Sequence, residues 1–435
     1  MKLPNIKQNG LFYFLTLIIL SLLLKDFFKI LTHFIPVNIN YIFLPLYVMF
    51  FLVCTAHVYL RKQISMLALL LIVFFAWNNI SFILYYLFDN TFNYTLFNLI
   101  IALFFQGIIP ITLILLAYLH PHKMFDAIKK SNLILSVFTL IMTSLLLIFF
   151  IIKPKEVTDF FVVLMKNDLI VNPIQTHKGG TQLRFSSIFY SAYSLALYCN
   201  VMIVFALFYI KGSIKKTLTL LIILPLLIMT FNRNGMAVAA ISISAYFCWR
   251  YLKTLFTYYM SIIIVFIIIG VFLTPLFLNI IDYGFGHSST AGMFTKLSTL
   301  GVRFNAWVDF LSPDNYVELI IGKGFVQGLA ETTFYLDNGF YYFISQNGLF
   351  WLMLFITIVA ILFIKLKRIY NESPNNDAAA CLTLFIAGLF AMILNNSFYE
   401  NIFLVFYWSF PLLLIFKVEY NDNPLFTYSQ NETKV

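Results

Sequence analysis

The sequence predicts an all-α polytopic membrane protein with about twelve transmembrane helices and a large extracytoplasmic loop. Three observations predict it. Hydrophobic residues make up 61% of the 435 positions and charged residues only 11%. Apolar runs of about 20 residues, enough to cross a bilayer, recur along nearly the whole chain. The basic residues gather in alternate loops, the pattern of positive charge retained on the cytoplasmic side. A net charge of +10 would suggest nucleic acid in a soluble protein. With mean hydropathy at +0.90, membrane topology explains the charge better, and the predicted partner is the lipid bilayer rather than nucleic acid.

The predicted spans are 11–31, 41–60, 64–88, 94–118, 132–152, 188–210, 217–231, 235–252, 256–280, 344–366, 378–395 and 400–417. Backbone at membrane depth must pair its own amides, so each is read as a helix. The seventh run is short, and it fits either a span or one arm of a re-entrant hairpin with the eighth. Lys2 and Lys7 precede the first run without a small-x-small cleavage site, which predicts an uncleaved first span.

Orientation follows from charge. Arg61–Lys62, Lys123 with Lys129–Lys130, Lys211 with Lys215–Lys216, Arg250 with Lys253, and Lys365, Lys367 and Arg368 fall in alternate loops, with Lys2 and Lys7 on the same side. That side is read as cytoplasmic, with both termini. The loops 153–187 and 281–343 are then long and external, and 418–435 is a cytoplasmic tail. Cys54, Cys199, Cys248 and Cys381 lie far apart within apolar runs and read as small core residues. His177 and His287 are isolated, so the sequence calls for no metal and no cofactor.

Three arginines stand out at the predicted outer ends of apolar runs. A guanidinium at the centre of a spanning helix costs about 2.5–3.5 kcal/mol on insertion scales and less near the interface. Arg184 precedes Phe185-Ser186-Ser187-Ile188-Phe189, and Gly179-Gly180-Thr181 before it reads as a flexible hinge. Alone, Arg184 also fits a guanidinium snorkelling at a helix end. Arg233 lies in the tight turn Thr230-Phe231-Asn232-Arg233-Asn234-Gly235, on the face where the positive-inside rule disfavours it. A helix is predicted to start after Gly235, and helix N-termini favour anions. Arg303 belongs to a predicted amphipathic helix whose Leu300, Phe304, Trp307, Val308 and Leu311 share one face. Further on come Gly322-Lys323-Gly324 and Leu336-Asp337-Asn338-Gly339. Asp337 fits a helix cap, a counter-charge to an arginine, or a proton acceptor. The planar fork of arginine matches phosphate bidentately, so the three arginines suggest a phosphate site.

These stretches resemble the O-antigen polymerase and O-antigen ligase superfamily. Arg184-Phe185-Ser186-Ser187-Ile188-Phe189 is similar to its first arginine motif and Asn232-Arg233-Asn234-Gly235 to its second. The run from Arg303 and Trp307 through Gly322-Lys323-Gly324 to Asp337-Asn338-Gly339 and Gly348-Leu349 is similar to its large-loop signature. The resemblance covers residues 184–350. It implies a membrane glycosyltransferase-like fold and a polyprenyl-pyrophosphate-linked oligosaccharide as substrate. A chain-length regulator and a flippase are the implied working partners. It implies Arg184, Arg233, Arg303, Lys323 and Asn338 as substrate-binding residues, with Arg233, Arg303 and Asp337 as catalytic ones. Ligases of the superfamily carry a histidine where this chain has Asp337, so the resemblance favours a polymerase of O-antigen or capsule repeat units in a bacterial inner membrane. The alternatives are a ligase and, from another class, a lipid-linked oligosaccharide flippase. A transporter predicts charge near the bilayer midplane. Here the mid-span polar groups are amides such as Asn78, Asn79 and Gln106, which fit helix-packing hydrogen bonds.

Overall fold

The computed structural model describes residues 6–32, 39–61, 64–88, 107–167, 174–177, 180–272, 339–394 and 400–422. Among them the chain is a helical bundle. Its helices are α1 (Ile6–Leu23), α2 (Lys25–Thr32), α3 (Ile39–Arg61), α4 (Met66–Phe88), α5 (Ile109–Leu119), α6 (Pro121–Ile152), α7 (Pro154–Lys166), α8 (Ala192–Tyr209), α9 (Ser213–Met229), α10 (Arg233–Tyr251), α11 (Phe256–Phe272), α12 (Gly339–Glu372), α13 (Asn376–Leu394) and α14 (Phe410–Asp422). A π-helical stretch, Phe403–Ser409, leads into α14.

Five of the described helices are long and apolar enough to cross a membrane: Pro121–Ile152, Ala192–Tyr209, Asn347–Glu372, Asn376–Ile393 and Phe403–Asn421. The pair Gly10–Leu23 and Lys25–Leu31, bent by 63°, makes a sixth when counted as one span. The predicted first span is therefore broken at Leu24 rather than continuous. The predicted span 94–118 is described only from residue 107, and much of 281–343 lies outside the described residues, including the predicted amphipathic helix around Arg303.

The all-α expectation needs one correction. An antiparallel pair of strands, β1 (Ile174–His177) with β2 (Gly180–Leu183), precedes Arg184, and His177 pairs with Gly180. Gly180 and Thr181 are thus ladder residues, not the hinge that their composition suggests. The loop 153–187 also holds a helix that the hydropathy did not reveal. In α7, Val157, Phe161 and Leu164 are buried at helical spacing, while Lys153 and Glu156 pair on its exposed side at 3.0 Å.

Position in the bundle follows from which faces are apolar and small. α8 is buried on nearly all sides, from Ala192 to Phe208, and packs against α9, α10 and α13. α6 instead exposes Leu133, Val137, Ile141, Leu145 and Phe149 on one flank, as a lipid-facing helix does. Aromatic stacking ties α4, α12 and the π-helical stretch together. Trp351 stacks on Phe74 at 4.1 Å and on Phe355 at 5.7 Å, and Phe355 stacks on Trp408 at 5.6 Å. The Trp351 indole donates to Phe74 O at 3.2 Å. α12 is kinked at Gly348, whose φ of 79° and ψ of 176° suit glycine alone.

The two ends of the bundle differ in charge. One end holds many of the lysines, and several of its charges are paired. Lys129 pairs with Asp377 at 2.6 Å, Lys365 pairs with Glu419, and Arg368 pairs with Glu372 at 2.7 Å. Lys216 donates to Leu207 O at 2.6 Å and to the Tyr246 hydroxyl at 2.7 Å, and Asn376 donates to Phe208 O at 2.6 Å. The last carbonyls of α8 are satisfied in this way. Arg184 and Arg233 lie at the opposite end.

Deep in the core, the Tyr407 hydroxyl donates to Leu197 O at 2.7 Å and accepts from Asn200 Nδ2 at 2.9 Å. Tyr407→Phe leaves a buried amide without its acceptor and should cost about 1–3 kcal/mol. Thermal unfolding in detergent checks this against Tyr258→Phe, an exposed control. An unchanged midpoint for Tyr407→Phe would show that the bridge adds no stability.

Candidate functional site: two converging arginines

Between the strand pair and α8 the chain forms a strap, residues 184–191. Phe185, Ser186, Ser187, Ile188 and Phe189 are all buried, although none of residues 184–186 is helical. Three contacts fix the strap to three helices. The Phe185 amide donates to Met229 O of α9 at 3.2 Å. The Ser187 and Thr143 hydroxyls bond at 3.0 Å, which ties the strap to α6. The Tyr190 amide donates to Asp26 Oδ2 of α2 at 3.2 Å. The strap then ends in a cap, for Ser191 accepts from the Ser194 amide at 3.0 Å and starts α8. Phe185 also meets Phe161 of α7, with ring centroids 6.4 Å apart.

The second arginine is set by a different turn. Thr230 Oγ1 donates to Leu227 O at 2.6 Å and accepts from the Asn232 amide at 3.2 Å. Asn232 Oδ1 accepts from the Gly235 amide at 2.9 Å and caps α10. The helix starts at Arg233 itself, two residues earlier than the sequence suggests, because asparagine rather than glycine ends the turn. Arg233 therefore sits in the first turn, at the positive end of the helix dipole. Gly235 is buried for a reason of space. A Cβ there would lie 2.4 Å from the Ala196 Cβ, so only glycine lets α10 begin this close to α8.

The two turns bring Arg184 and Arg233 together. Arg184 is half-buried and Arg233 exposed. Burial first, and then the positive charge of Arg233, push the Arg184 guanidinium below its ordinary basicity. Among the described residues neither arginine has an ion pair or a side-chain hydrogen bond. Two like charges thus influence each other, and among the described residues no carboxylate pairs with either. The backbone is strained at the same place. Ser187 has φ 52° and Phe231 φ 46°, and these are the non-glycine residues with positive φ among the described ones. Such strain concentrates at ligand clamps and active sites.

Of the predicted site residues, the structure brings together Arg184 and Arg233. Arg303, Lys323, Asp337 and Asn338 lie outside the described residues. Sequence reasoning missed Thr143 and Asp26, the side chains that hold the strap. Asp26 was detectable as an acid inside an apolar run.

Gly235→Ala should push α10 away from α8, displace Arg233 and cost about 1–3 kcal/mol as an overpacked site. Gly10→Ala, where nothing lies within 4 Å, is the control and should be neutral or slightly stabilising. Thermal midpoints of the purified variants decide it, and equal midpoints would refute the tight α8–α10 contact. Comparison of the chain with protein-family models and with curated proteins finds no match.

Proposed function

We propose that this protein is a membrane glycosyltransferase that polymerises O-antigen or capsule repeat units. It transfers a polyprenyl-pyrophosphate-linked glycan to the outer sugar of another lipid-linked unit. The observation that carries this reading is the Arg184–Arg233 pair, which has no ion-paired acid among the described residues. Two guanidiniums at a helix N-terminus match a diphosphate in charge and in hydrogen-bond geometry.

The chemistry needs little else. A glycosyl pyrophosphate is already activated, and transfer requires stabilisation of the charge that develops on the departing diphosphate. Arginines supply that by geometry. The attacking sugar hydroxyl gives up its proton late, so a carboxylate suffices as acceptor, and Asp337 is the residue we assign. Arg303, Lys323 and Asn338 complete the proposed substrate contacts. The proposed topology has about twelve spans, the lysine-rich end and both termini in the cytoplasm, and the arginine end outside a bacterial inner membrane.

The side-chain test is glycan output from cells carrying well-expressed variants. Arg233→Ala should abolish polymer and Arg233→Lys should retain little, because a point ammonium lacks the fork. Arg184→Ala should behave similarly. Normal polymer from either alanine variant would exclude that arginine as an essential pyrophosphate ligand. The activity test is reconstitution. Liposomes given only lipid-pyrophosphate repeat units should yield a ladder of lengths. Translocation of those lipids without extension would favour a flippase, and transfer only to a different acceptor a ligase.

Topology has its own check. A cysteine replacing Ser289 should react with an impermeant thiol reagent in cells stripped of outer barriers, while one replacing Ser213 should not. The reverse labelling would invert the protein and remove the arginines from the outer face.

A further inference from the structure

Hydroxyls on the apolar helices are commonly satisfied by the helix itself. Thr16, Thr112, Thr219 and Thr357 each donate to the carbonyl four residues earlier, at 2.7–2.9 Å. Three buried oxygens on three other helices are not satisfied in this way. Asn200 Oδ1 of α8, Ser242 Oγ of α10 and Thr383 Oγ1 of α13 are shut off from solvent, and none has a hydrogen-bond partner among the described residues. All three residues are fully buried. The Asn200 amide is oriented by its other end. The Tyr407 hydroxyl gives its proton to Leu197 O at 2.7 Å, so it accepts from Asn200 Nδ2 at 2.9 Å. That turns Asn200 Oδ1 away from Tyr407.

α8, α10 and α13 pack against one another, and their contacts set where each oxygen points. Residues seven apart share a helix face, because two turns take about 7.2 residues. Ser242 is seven residues beyond Gly235, where α10 meets Ala196 of α8. Asn200 is seven beyond Tyr193, whose hydroxyl donates to Ala391 O of α13 at 3.3 Å. Thr383 is seven beyond Asn376, whose amide donates to Phe208 O of α8 at 2.6 Å. Each oxygen therefore faces the junction of the three helices. The levels agree as well. α8 and α10 run parallel, from Ala196 beside Gly235 to Phe208 beside Trp249, whose ring centroids are 5.1 Å apart. That sets Ser242 level with residues 201–203. α13 runs antiparallel, with Ala391 beside Tyr193 and Asn376 beside Phe208, which sets Thr383 level with Val201. Asn200 stands within one turn of both.

We propose that Asn200, Ser242 and Thr383 bind one buried water, which cross-links α8, α10 and α13. A water donates to the asparagine oxygen, which can only accept, and either donates to or accepts from each hydroxyl. Ala239 and Ala245 flank Ser242 on the buried stripe of α10, so the bulk beside the site is small. The surroundings are neutral. α8 and α10 hold no acid, and Asp377 of α13 lies in its first turn, paired with Lys129 at 2.6 Å. A cation at the junction would be buried without a counter-charge, so the charge pattern selects water. The bridge holds α10 to α8 two turns below Gly235 and steadies the helix end that carries Arg233.

The site stands on contacts within the bundle and is independent of the proposed function. Its test reads stability and structure rather than glycan output. The full-length protein in lipid nanodiscs is compared with Ser242→Ala, Thr383→Val and the double variant. Removing a buried hydroxyl that bonds nothing leaves a protein as stable or more so, because its desolvation cost goes with it. Removing one that bonds a water leaves the remaining oxygens short of a partner. Each single variant should therefore melt about 2–4 °C below the wild type. The double variant should fall by less than the sum of the single shifts, because both act on one water. A midpoint at or above the wild type in either single variant, or strictly additive shifts, overturns the shared water. A density map of the wild type that resolves waters should show a peak about 2.7–3.2 Å from all three oxygens. That measurement stands even where a variant fails to fold, and a map of that quality without the peak overturns the inference. Exchange of sodium for choline in the buffer should leave the wild-type midpoint unchanged. A sodium-dependent rise would assign the junction to a metal ion and overturn the water.

Discussion

The architecture around the two arginines depends on the strap from Arg184 to Ser191 being held in a non-helical path by contacts to α9, α6 and α2. Its sequence is apolar enough to extend α8 by a turn. The backbone takes another course because Ser191 caps the helix and Asp26 accepts the Tyr190 amide. A continuous helix would carry Arg184 along the axis of α8 and away from the α10 terminus. The strained φ at Ser187 is the local cost of turning it back. Packing at Gly235 completes the arrangement by setting α10 against α8 at the level of Ala196. Two local features therefore converge on one pair of arginines.

Charge gives that pair its meaning. At the lysine-rich end, cations meet carboxylates, carbonyls or aromatic faces, as Lys129 does with Asp377, Phe125 and Tyr209. Exposed pairs of this kind contribute little each, about 0–1 kcal/mol. In the proposed reading, the two guanidiniums at the opposite end are the place for an anion.

Much of the bundle was legible in the sequence, because hydropathy reports each residue's own preference for lipid. The runs 64–88, 235–252 and 378–395 correspond closely to α4, α10 and α13. The misses have physical causes. α6 begins at Pro121 rather than near 132, because its first turns are charged yet stay helical, with Lys129 paired to Asp377. α8 begins at Ala192 rather than 188, because hydropathy does not register a strap of apolar residues. The strand pair escaped notice because Gly180 and Thr181 read as a flexible hinge, whereas both stand in the ladder. In the site, Arg184 and Arg233 were legible because a cation on the lysine-poor face contradicts the topology signal.

The central claim is that Arg184 and Arg233 grip one pyrophosphate. A double-mutant cycle on binding of a polyprenyl-pyrophosphate saccharide to the purified protein tests it most directly. Residues that share one ligand couple by about 0.5–3 kcal/mol, so the loss in Arg184→Ala/Arg233→Ala should depart from the sum of the single losses by that amount. Strictly additive losses, or single variants that bind as the wild type does, would contradict a shared diphosphate.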